Sequence, residues 1–202
     1  DWTQGSGRFT RAQYALAEQK GIKLTSYAKD QASYYKSIVS GNYKKSLKEF
    51  VEKADKMEDF ISRAPVYQGQ VHRGINIPKA QLDECLEAFV RGKPTLTMES
   101  WSTNMAMAEE FAGIDSGVKW NDFINPAHKW AAGEEKVSVV MSVLKNKAGV
   151  PIKSASSLAG EDEILLPSQM RYRVLEIQVG KAPGPKGGLV DKVHVLLEQI
   201  SN

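Results

Sequence analysis

The sequence GEDEILLP, residues 160–167, places three carboxylates directly before an apolar run, and it decides how the rest of the chain is interpreted. The three residues after the acids are apolar without alternation, which is typical of a strand buried on both faces. Alternate strand residues share a face, so Glu161 and Glu163 are predicted to point the same way, with Asp162 opposite. An acidic triplet is common on protein surfaces, so its meaning depends on what surrounds this strand.

Several other segments after Pro65 also have the composition of strands. The strand-like segments are residues 65–74, 136–144, 163–166, 172–179 and 193–200. A helix is predicted to start at Pro78 and to end before Gly92, with an apolar face made of Leu82, Cys85, Leu86 and Phe89. Residues 113–135 form a long irregular connection, and such loops are often functional.

Before residue 65 the pattern is helical. Thr10 is predicted to cap a helix that ends before Gly21, and Thr25 or Ser26 to cap a second one. Residues 43–62 carry apolar side chains at steps of three and four, which is one face of a third helix. Helices followed by strands predict an α+β fold, with residues 1–65 as an amino-terminal helical segment and residues 66–202 as the core of one domain.

The composition argues against several classes of protein and site. The chain has 202 residues and a net charge of +3, which is too weak to indicate nucleic-acid binding by itself. The single cysteine, Cys85, excludes an intrachain disulfide, and with three scattered histidines a metal site has little support. No apolar run approaches the ~20 residues of a membrane span. Because the sequence begins at Asp1 rather than Met, we expect a fragment or a processed product of a larger polypeptide.

Two further motifs have residue types that occur in ligand-binding sites, one of them suited to a phosphate. Arg73 ends a predicted strand and Gly74 follows it. An arginine offers a planar fork that matches phosphate, and a glycine lets the backbone approach a ligand closely. Further along, Ser100 and Ser102 share one face of a short strand before a helix. Helix capping by Thr103 or Asn104 would account for those two residues but not for Ser100.

In this order the motifs resemble the arginine, Ser-x-Ser and Glu-x-Glu signature of the mono-ADP-ribosyltransferases, in the toxin-like branch that modifies arginine. The matching residues are Arg73, Gly74, Ser100, Ser102, Asn104, Ala108, Phe111, Glu161 and Glu163. The resemblance covers residues 66–202. Two features depart from it. Trp101 fills the centre of the middle motif, where threonine is common, and residues 154–160 lack the aromatic residue with which several relatives hold their target.

The resemblance implies a fold in which two small packed β-sheets surround an NAD cleft, with an amino-terminal helical segment beside them. It implies that Arg73 binds the phosphates of NAD and that the backbone of Gly74 meets the nicotinamide amide. It also implies that Ser100 fixes Glu163 by a hydrogen bond, with Ser102 lining the pocket. NAD is a co-substrate in this chemistry, and no metal is required.

The resemblance divides the two glutamates by role. Glu163 would hydrogen-bond the ribose and stabilise an oxocarbenium-like transition state, while Glu161 would orient the guanidinium of a target protein and help to remove its proton. Of the aromatic residues in the 113–135 loop, Trp120, Phe123 or Trp130 could stack on the cofactor or anchor the loop. A secreted toxin domain and a phage-encoded modifier of host proteins, each acting in the reducing cytosol of a target cell, fit equally.

Other interpretations stay open at this point. One is an NAD glycohydrolase that has no protein acceptor. A second is a glycoside hydrolase, since paired carboxylates also serve there, although Arg73 and Ser100 would then have no task. A third is a catalytically silent interaction module of a larger phage or toxin protein. The presence of every motif residue argues against this third interpretation. No basic aromatic stripe supports a nucleic-acid target.

Overall fold

The structure is a computed structural model, and it describes residues 6–39, 43–117, 135–152 and 162–200. The helices in these ranges are α1 (Ser6–Gln19), α2 (Ser26–Ile38), α3 (Tyr43–Arg63), α4 (Leu82–Val90) and α5 (Met105–Phe111). The strands are β1 (Val71–Pro78), β2 (Glu99–Ser102), β3 (Lys136–Val143), β4 (Val150–Pro151), β5 (Glu163–Leu166), β6 (Arg171–Pro183) and β7 (Leu189–Ile200). The predicted α+β class is confirmed. None of the described helices is long and apolar enough to cross a membrane.

The helical segment differs from the prediction at its first cap. Helix α1 begins at Ser6, so Thr10 lies inside the helix, and its end at Gln19 precedes Gly21, which has a φ of 77°. Thr25 caps α2 as predicted, because its hydroxyl accepts a hydrogen bond from the Ala28 amide at 3.3 Å. Serine and threonine caps of this kind satisfy a donor that the helix itself leaves unpaired.

Two strand boundaries also differ from the prediction. Pro78 ends β1 instead of starting a helix, and α4 begins at Leu82 after a short 3-10 turn, Lys79–Gln81. The ladder between β6 and β7 continues past the predicted ends at residues 179 and 193, up to the pair of Pro183 and Leu189. Proline is tolerated at the end of a strand because it lacks only the amide donor, so the Pro- and Gly-rich composition here does not stop the ladder early.

The strand order of the sheet is β4-β5-β2-β1-β3-β7-β6. The eight residues of β1 all pair with β3, whereas β1 pairs with β2 at one position, His72 opposite Ser102. The strands therefore fall into two groups, β4-β5-β2 and β1-β3-β7-β6, which this pair joins into one seven-stranded sheet. The two small sheets that the resemblance implies correspond to these two groups of strands.

Both faces of the sheet are covered. On one face the core includes Trp101 and Tyr172, whose ring centroids are 6.0 Å apart, and α4 adds Phe89 at 6.2 Å from Tyr172. The amino-terminal helices share a second buried cluster with the strands, made of Phe9, Ala54, Ile61, Met98, Val150, Ile152 and Leu165. Burial of this kind contributes roughly 25 cal/mol per Å² of apolar surface, so the helical segment and the sheet stabilise each other.

Candidate functional site

The three sequence motifs meet at the junction of β1, β2 and β5. Ser102 is the cross-strand partner of His72 on one side and of Glu163 on the other. Directly opposite residues in an antiparallel pair point to the same face, so these three side chains share one face of the sheet. Ser100 lies on the same face, two pairs further along the ladder, opposite Leu165.

Glu163 is the first residue of β5, and every residue of that strand is buried. Glu163 is only 5% exposed, and its backbone carbonyl accepts a hydrogen bond from the Ile152 amide at 3.1 Å. A carboxylate in such a position is held by the strands on both sides of it, and a low local dielectric strengthens its interaction with any nearby positive charge. The sequence prediction of a carboxylate at the rigid end of a core strand is confirmed for Glu163.

The neighbouring acid departs from the strand geometry. Asp162 has a φ of 45°, in the left-handed region, and its carbonyl accepts a hydrogen bond from the Thr103 amide at 3.2 Å. The predicted shared face of Glu161 and Glu163 assumed extended backbone at Asp162, so strand alternation does not place Glu161. Glu161 itself lies outside the described residues.

Arg73 is the third residue of β1 and not the end of a strand as predicted, because the strand begins at Val71 and continues to Pro78. Its side chain projects to the opposite face from His72, since successive strand residues alternate. Its side chain is 15% exposed, and Nη1 donates to the carbonyl of Ser100 at 3.4 Å. The same nitrogen lies 3.8 Å from Oε1 of Glu99. Burial lowers the pKa of Arg73, but Glu99 and the phenols of Tyr27 and Tyr14 outweigh it and raise the pKa above the ordinary value. The guanidinium is therefore a fixed positive charge.

Glu99 is a site residue that sequence reasoning missed. It opens β2, and its side chain is 12% exposed, with Oε2 accepting a hydrogen bond from Nε1 of Trp101 at 3.3 Å. The signal was present in the sequence, because Glu99 and Trp101 are two residues apart on the face that the serines do not use. A charged residue on the apolar face of a strand needs a partner, and here that partner is Arg73.

A cavity of about 340 Å³ opens on the Arg73 face of the sheet. Apolar side chains of Ile75, Phe89 and Met141 form much of its wall, with Tyr14 and Tyr27 from the amino-terminal helices. Other residues at the cavity are Lys23, Thr25, Cys85, Lys93, Thr95, Leu96, Arg73 and Glu99. The cavity thus combines aromatic walls with one guanidinium, a combination that suits a flat ring joined to a phosphate.

Two phenols and a thiol of this wall are neutral, beside the charged Arg73 and Glu99. Burial raises the pKa of both Tyr14 and Tyr27, so their phenols stay protonated. Burial, followed by the charge of Glu99, raises the pKa of the Cys85 thiol to about 11. A thiol in this state is a small apolar lining group and a poor nucleophile.

Gly74 is required by packing against α5. A β-carbon added at Gly74 would lie 1.7 Å from the carbonyl oxygen of Ala108 and 2.7 Å from the amide nitrogen of Ala112. Ala108 is 1% exposed, which explains why a small residue stands at this point of the motif. The predicted contact between the Gly74 backbone and nicotinamide stays a prediction, beside this packing reason for the glycine.

Ser102 and Asn104 fix the start of α5. The Asn104 amide donates to Oγ of Ser102 at 3.0 Å, and the Asn104 side chain accepts from the Ala106 amide at 3.0 Å. Asn104, and not Thr103, is therefore the helix cap. Ser102 connects the helix to the strand pair that contains Glu163.

A chain of hydrogen bonds that sequence reasoning did not anticipate lies on the Glu163 face. Nδ1 of His72 is 2.8 Å from Oγ of Ser142, which is 2.8 Å from Nε2 of His194. Burial lowers the pKa of both histidines, and His194 further lowers that of His72 while Lys192 further lowers that of His194. The three residues lie far apart in sequence on β1, β3 and β7, so only the strand pairing reveals the group.

Several predicted residues lie outside the described part of the chain. These are Glu161, Trp120, Phe123, Trp130 and the loop of residues 154–160. Within the ranges that the structure describes, no group of three or more histidine, cysteine, aspartate or glutamate side chains could hold a metal ion.

Comparison with solved structures identifies the class of fold. The arrangement of helices and strands is that of ADP-ribosyltransferases. The Vis toxin of Vibrio splendidus aligns at 15% identity with a TM-score of 0.57, covering 100% of this chain and 70% of that one. Vis in complex with agmatine gives 16% identity and a TM-score of 0.56, covering 98% of this chain and 72% of that one. No protein-family model matches the chain, and no curated protein matches its sequence.

Proposed function

We propose that this protein is an NAD-dependent mono-ADP-ribosyltransferase that modifies an arginine of a target protein. The observation that carries the proposal is that the described motif residues lie on the neighbouring strands β1, β2 and β5, with Arg73 on one face of the sheet and Ser100, Ser102 and Glu163 on the other. Glu163 stands opposite Ser102, Ser100 follows on the same face, and Arg73 lies at the adjoining opening with its guanidinium against the Ser100 carbonyl. A glycoside hydrolase would need the carboxylates but would give Arg73 and Ser100 no task.

NAD would bind beside the single pair of β1 and β2, His72 and Ser102, and reach from the Arg73 face to the Glu163 face. Arg73 would hold a phosphate through charge-assisted hydrogen bonds, which are about twice as strong as neutral ones. One nucleoside would occupy the 340 Å³ cavity, where Tyr14, Tyr27 and Phe89 offer aromatic surface to a base. The nicotinamide ribose would then reach toward Glu163, with the Gly74 backbone at the nicotinamide amide and Ser100 beside the carboxylate.

In the reaction the bond between C1′ of the ribose and N1 of nicotinamide breaks. The bonding electrons go to the pyridinium nitrogen, so nicotinamide leaves as a neutral molecule and the ribose acquires oxocarbenium character. The negative charge of Glu163 would balance the developing positive charge. Preorganised electrostatics of this kind is typically worth about a hundredfold to a thousandfold in rate.

The acceptor then forms the new bond to C1′. A guanidinium nitrogen of the target would attack and lose one proton, and we assign acceptance of that proton to Glu161. Support for an arginine target comes from the Glu-x-Glu pair and from the solved complex of Vis with agmatine, which carries the same guanidinium group as arginine. If water attacks in place of the acceptor, the result is hydrolysis of NAD.

The amino-terminal helices belong to the same catalytic domain in this proposal. Tyr14 and Tyr27 come from that segment and stand in the cavity wall, and Phe9, Ala54 and Ile61 share a buried cluster with the strands. We therefore infer that residues 1–65 and 66–202 form one catalytic unit. A chain lacking the first 65 residues is expected to lose both NAD binding and stability.

The experiment that tests the function uses labelled NAD. The protein is incubated with labelled NAD and a cell lysate, and mass spectrometry then locates the modified residue. Label on an arginine supports the proposal, and label on another residue type would overturn the arginine assignment. Nicotinamide release without label on any acceptor would show an NAD glycohydrolase, and no release at all would show a silent module.

A further inference from the structure

The cavity wall carries an acid directly beside the arginine that would bind phosphate. Glu99 and Arg73 both line the cavity, and both side chains are largely buried. Oε2 of Glu99 is held by Trp101 at 3.3 Å, while Oε1 is 3.8 Å from Arg73, too far for a bidentate ion pair. A carboxylate has about four lone-pair sites, so Glu99 keeps acceptor capacity toward the cavity.

A site for phosphate alone would not be expected to place a carboxylate here. The two negative charges would repel each other, and the repulsion is stronger in a partly buried site than in water. The arrangement is understandable if the ligand also brings hydroxyl donors. Carboxylates bind the hydroxyls of ribose in dinucleotide sites of other folds, where the acid also opposes a 2′-phosphate.

We propose that Glu99 binds the 2′- and 3′-hydroxyls of the ribose whose phosphate contacts Arg73, and that it thereby selects NAD against NADP. This inference rests on the proposed function. It assigns a substrate-binding role to Glu99 and places one ribose of the dinucleotide beside this carboxylate. A single nucleotide would be held at two points, with its phosphate on Arg73 and its ribose on Glu99.

The geometry indicates which ribose lies at Glu99. Strand alternation places Arg73 and Glu99 on one face and Glu163 on the other. The nicotinamide ribose must reach Glu163, so the ribose in the cavity is that of adenosine. This is the ribose that carries the additional phosphate in NADP, and its 2′-phosphate would be directed at the Glu99 carboxylate.

The test compares NAD with NADP on the whole chain. Calorimetric binding and nicotinamide release are measured for the wild type, Glu99→Gln and Glu99→Asp. Glu109→Gln is the matched control, because Glu109 also forms an ion pair, with Lys192 at 2.7 Å, is partly buried with a side chain 23% exposed, and does not line the cavity. Thermal unfolding of each variant establishes that it is folded.

The wild type is expected to prefer NAD by about tenfold or more, which corresponds to about 1.4 kcal/mol. Glu99→Gln should bind NAD more weakly, because one charge-assisted hydrogen bond to the ribose is lost. Its preference for NAD over NADP should fall by about fivefold, because the repulsion between the carboxylate and the 2′-phosphate is also lost. Glu99→Asp should keep the rejection of NADP, and Glu109→Gln should match the wild type.

The outcomes also separate this inference from the proposed function. Equal binding of NAD and NADP by the wild type, or an unchanged preference in folded Glu99→Gln, would overturn the role of Glu99 even if NAD is cleaved. A preference for NAD that depends on Glu99, without any release of nicotinamide, would uphold the inference and overturn the proposed function. Binding of neither dinucleotide would overturn both.

Discussion

The Cα of Gly74 lies beneath the carbonyl oxygen of Ala108, so close that a β-carbon would stand 1.7 Å from that oxygen. This contact fixes the distance between β1 and α5, and β1 also carries Arg73. The glycine therefore sets the position of a helix as well as the conformation of a strand.

The first prediction concerns this contact. Gly74→Ala should lower the free energy of unfolding by about 1–3 kcal/mol, because α5 must move to admit the methyl group. Gly180→Ala is the matched control, since Gly180 also lies in a strand but has no atom within 4 Å of the added carbon. Chemical denaturation of the two variants measures the difference. Equal stability of the two variants would show that α5 does not press on Gly74.

The second prediction concerns Arg73. Arg73→Ala should weaken NAD binding by about tenfold or more, because one charge-assisted phosphate contact is lost. Arg73→Lys should restore binding only partly, since lysine lacks the planar fork. Calorimetric titration with NAD measures the affinities.

Loss of Arg73 also leaves Glu99 without its ion-pair partner, which can destabilise the protein. The double variant Arg73→Ala, Glu99→Gln removes this complication. If the folded double variant binds NAD as tightly as Glu99→Gln alone, Arg73 does not contact the substrate.

The third prediction separates the two glutamates. Glu163→Gln should lower both transfer and NAD hydrolysis by about a hundredfold to a thousandfold, because the charge that balances the oxocarbenium ion is lost whatever attacks next. Glu161→Gln should lose transfer yet keep much of the hydrolysis, because water can still attack. Nicotinamide release with and without agmatine measures both activities. Equal loss of hydrolysis in the two variants would contradict the division of roles.

The fourth prediction concerns pH and the chain of His72, Ser142 and His194. The pKa of each histidine is lowered in the folded protein, so below about 6.5 the unfolded chain binds more protons than the folded one. The free energy of unfolding should therefore fall as the pH drops from about 6.5 toward the lower folded values. His194→Gln should show a shallower fall between pH 7 and pH 5, measured by thermal unfolding at constant ionic strength. A slope identical to that of the wild type would show that protonation of His194 is not coupled to folding.

Sequence reasoning located the elements whose signal is local. The unbroken apolar run of β5 and the three-and-four spacing of α3 each follow from the environment of one element, and both agree with the structure. The sequence predicts Thr10 as a helix cap, but it lies inside α1, because a threonine gives the same local signal at a cap and within a helix. Pro78 was assigned to a helix start because proline is equally compatible with the end of a strand.

The parts that were missed depend on pairing between distant strands. Glu99 forms its ion pair with Arg73, 26 positions earlier in the sequence. His72 and His194 are linked by hydrogen bonds through Ser142. Neither relationship leaves a periodic pattern in the sequence, because each arises from the register of one strand against another. The left-handed backbone at Asp162 was missed for a different reason. Aspartate adopts both extended and left-handed conformations, so its presence does not decide between them.

The strands β1 and β2 pair at His72 and Ser102, and the carbonyl of Ser100 in β2 accepts a hydrogen bond from the Arg73 side chain of β1. Peptide donors and acceptors removed from water require partners, and a ligand can supply them as well as a strand can. Nicotinamide carries a carboxamide, which has the same donor and acceptor as a peptide unit. In the proposed enzyme the nicotinamide carboxamide would thus hydrogen-bond to the backbone of β1 at Gly74, and cleavage of NAD would remove that contact from the strand.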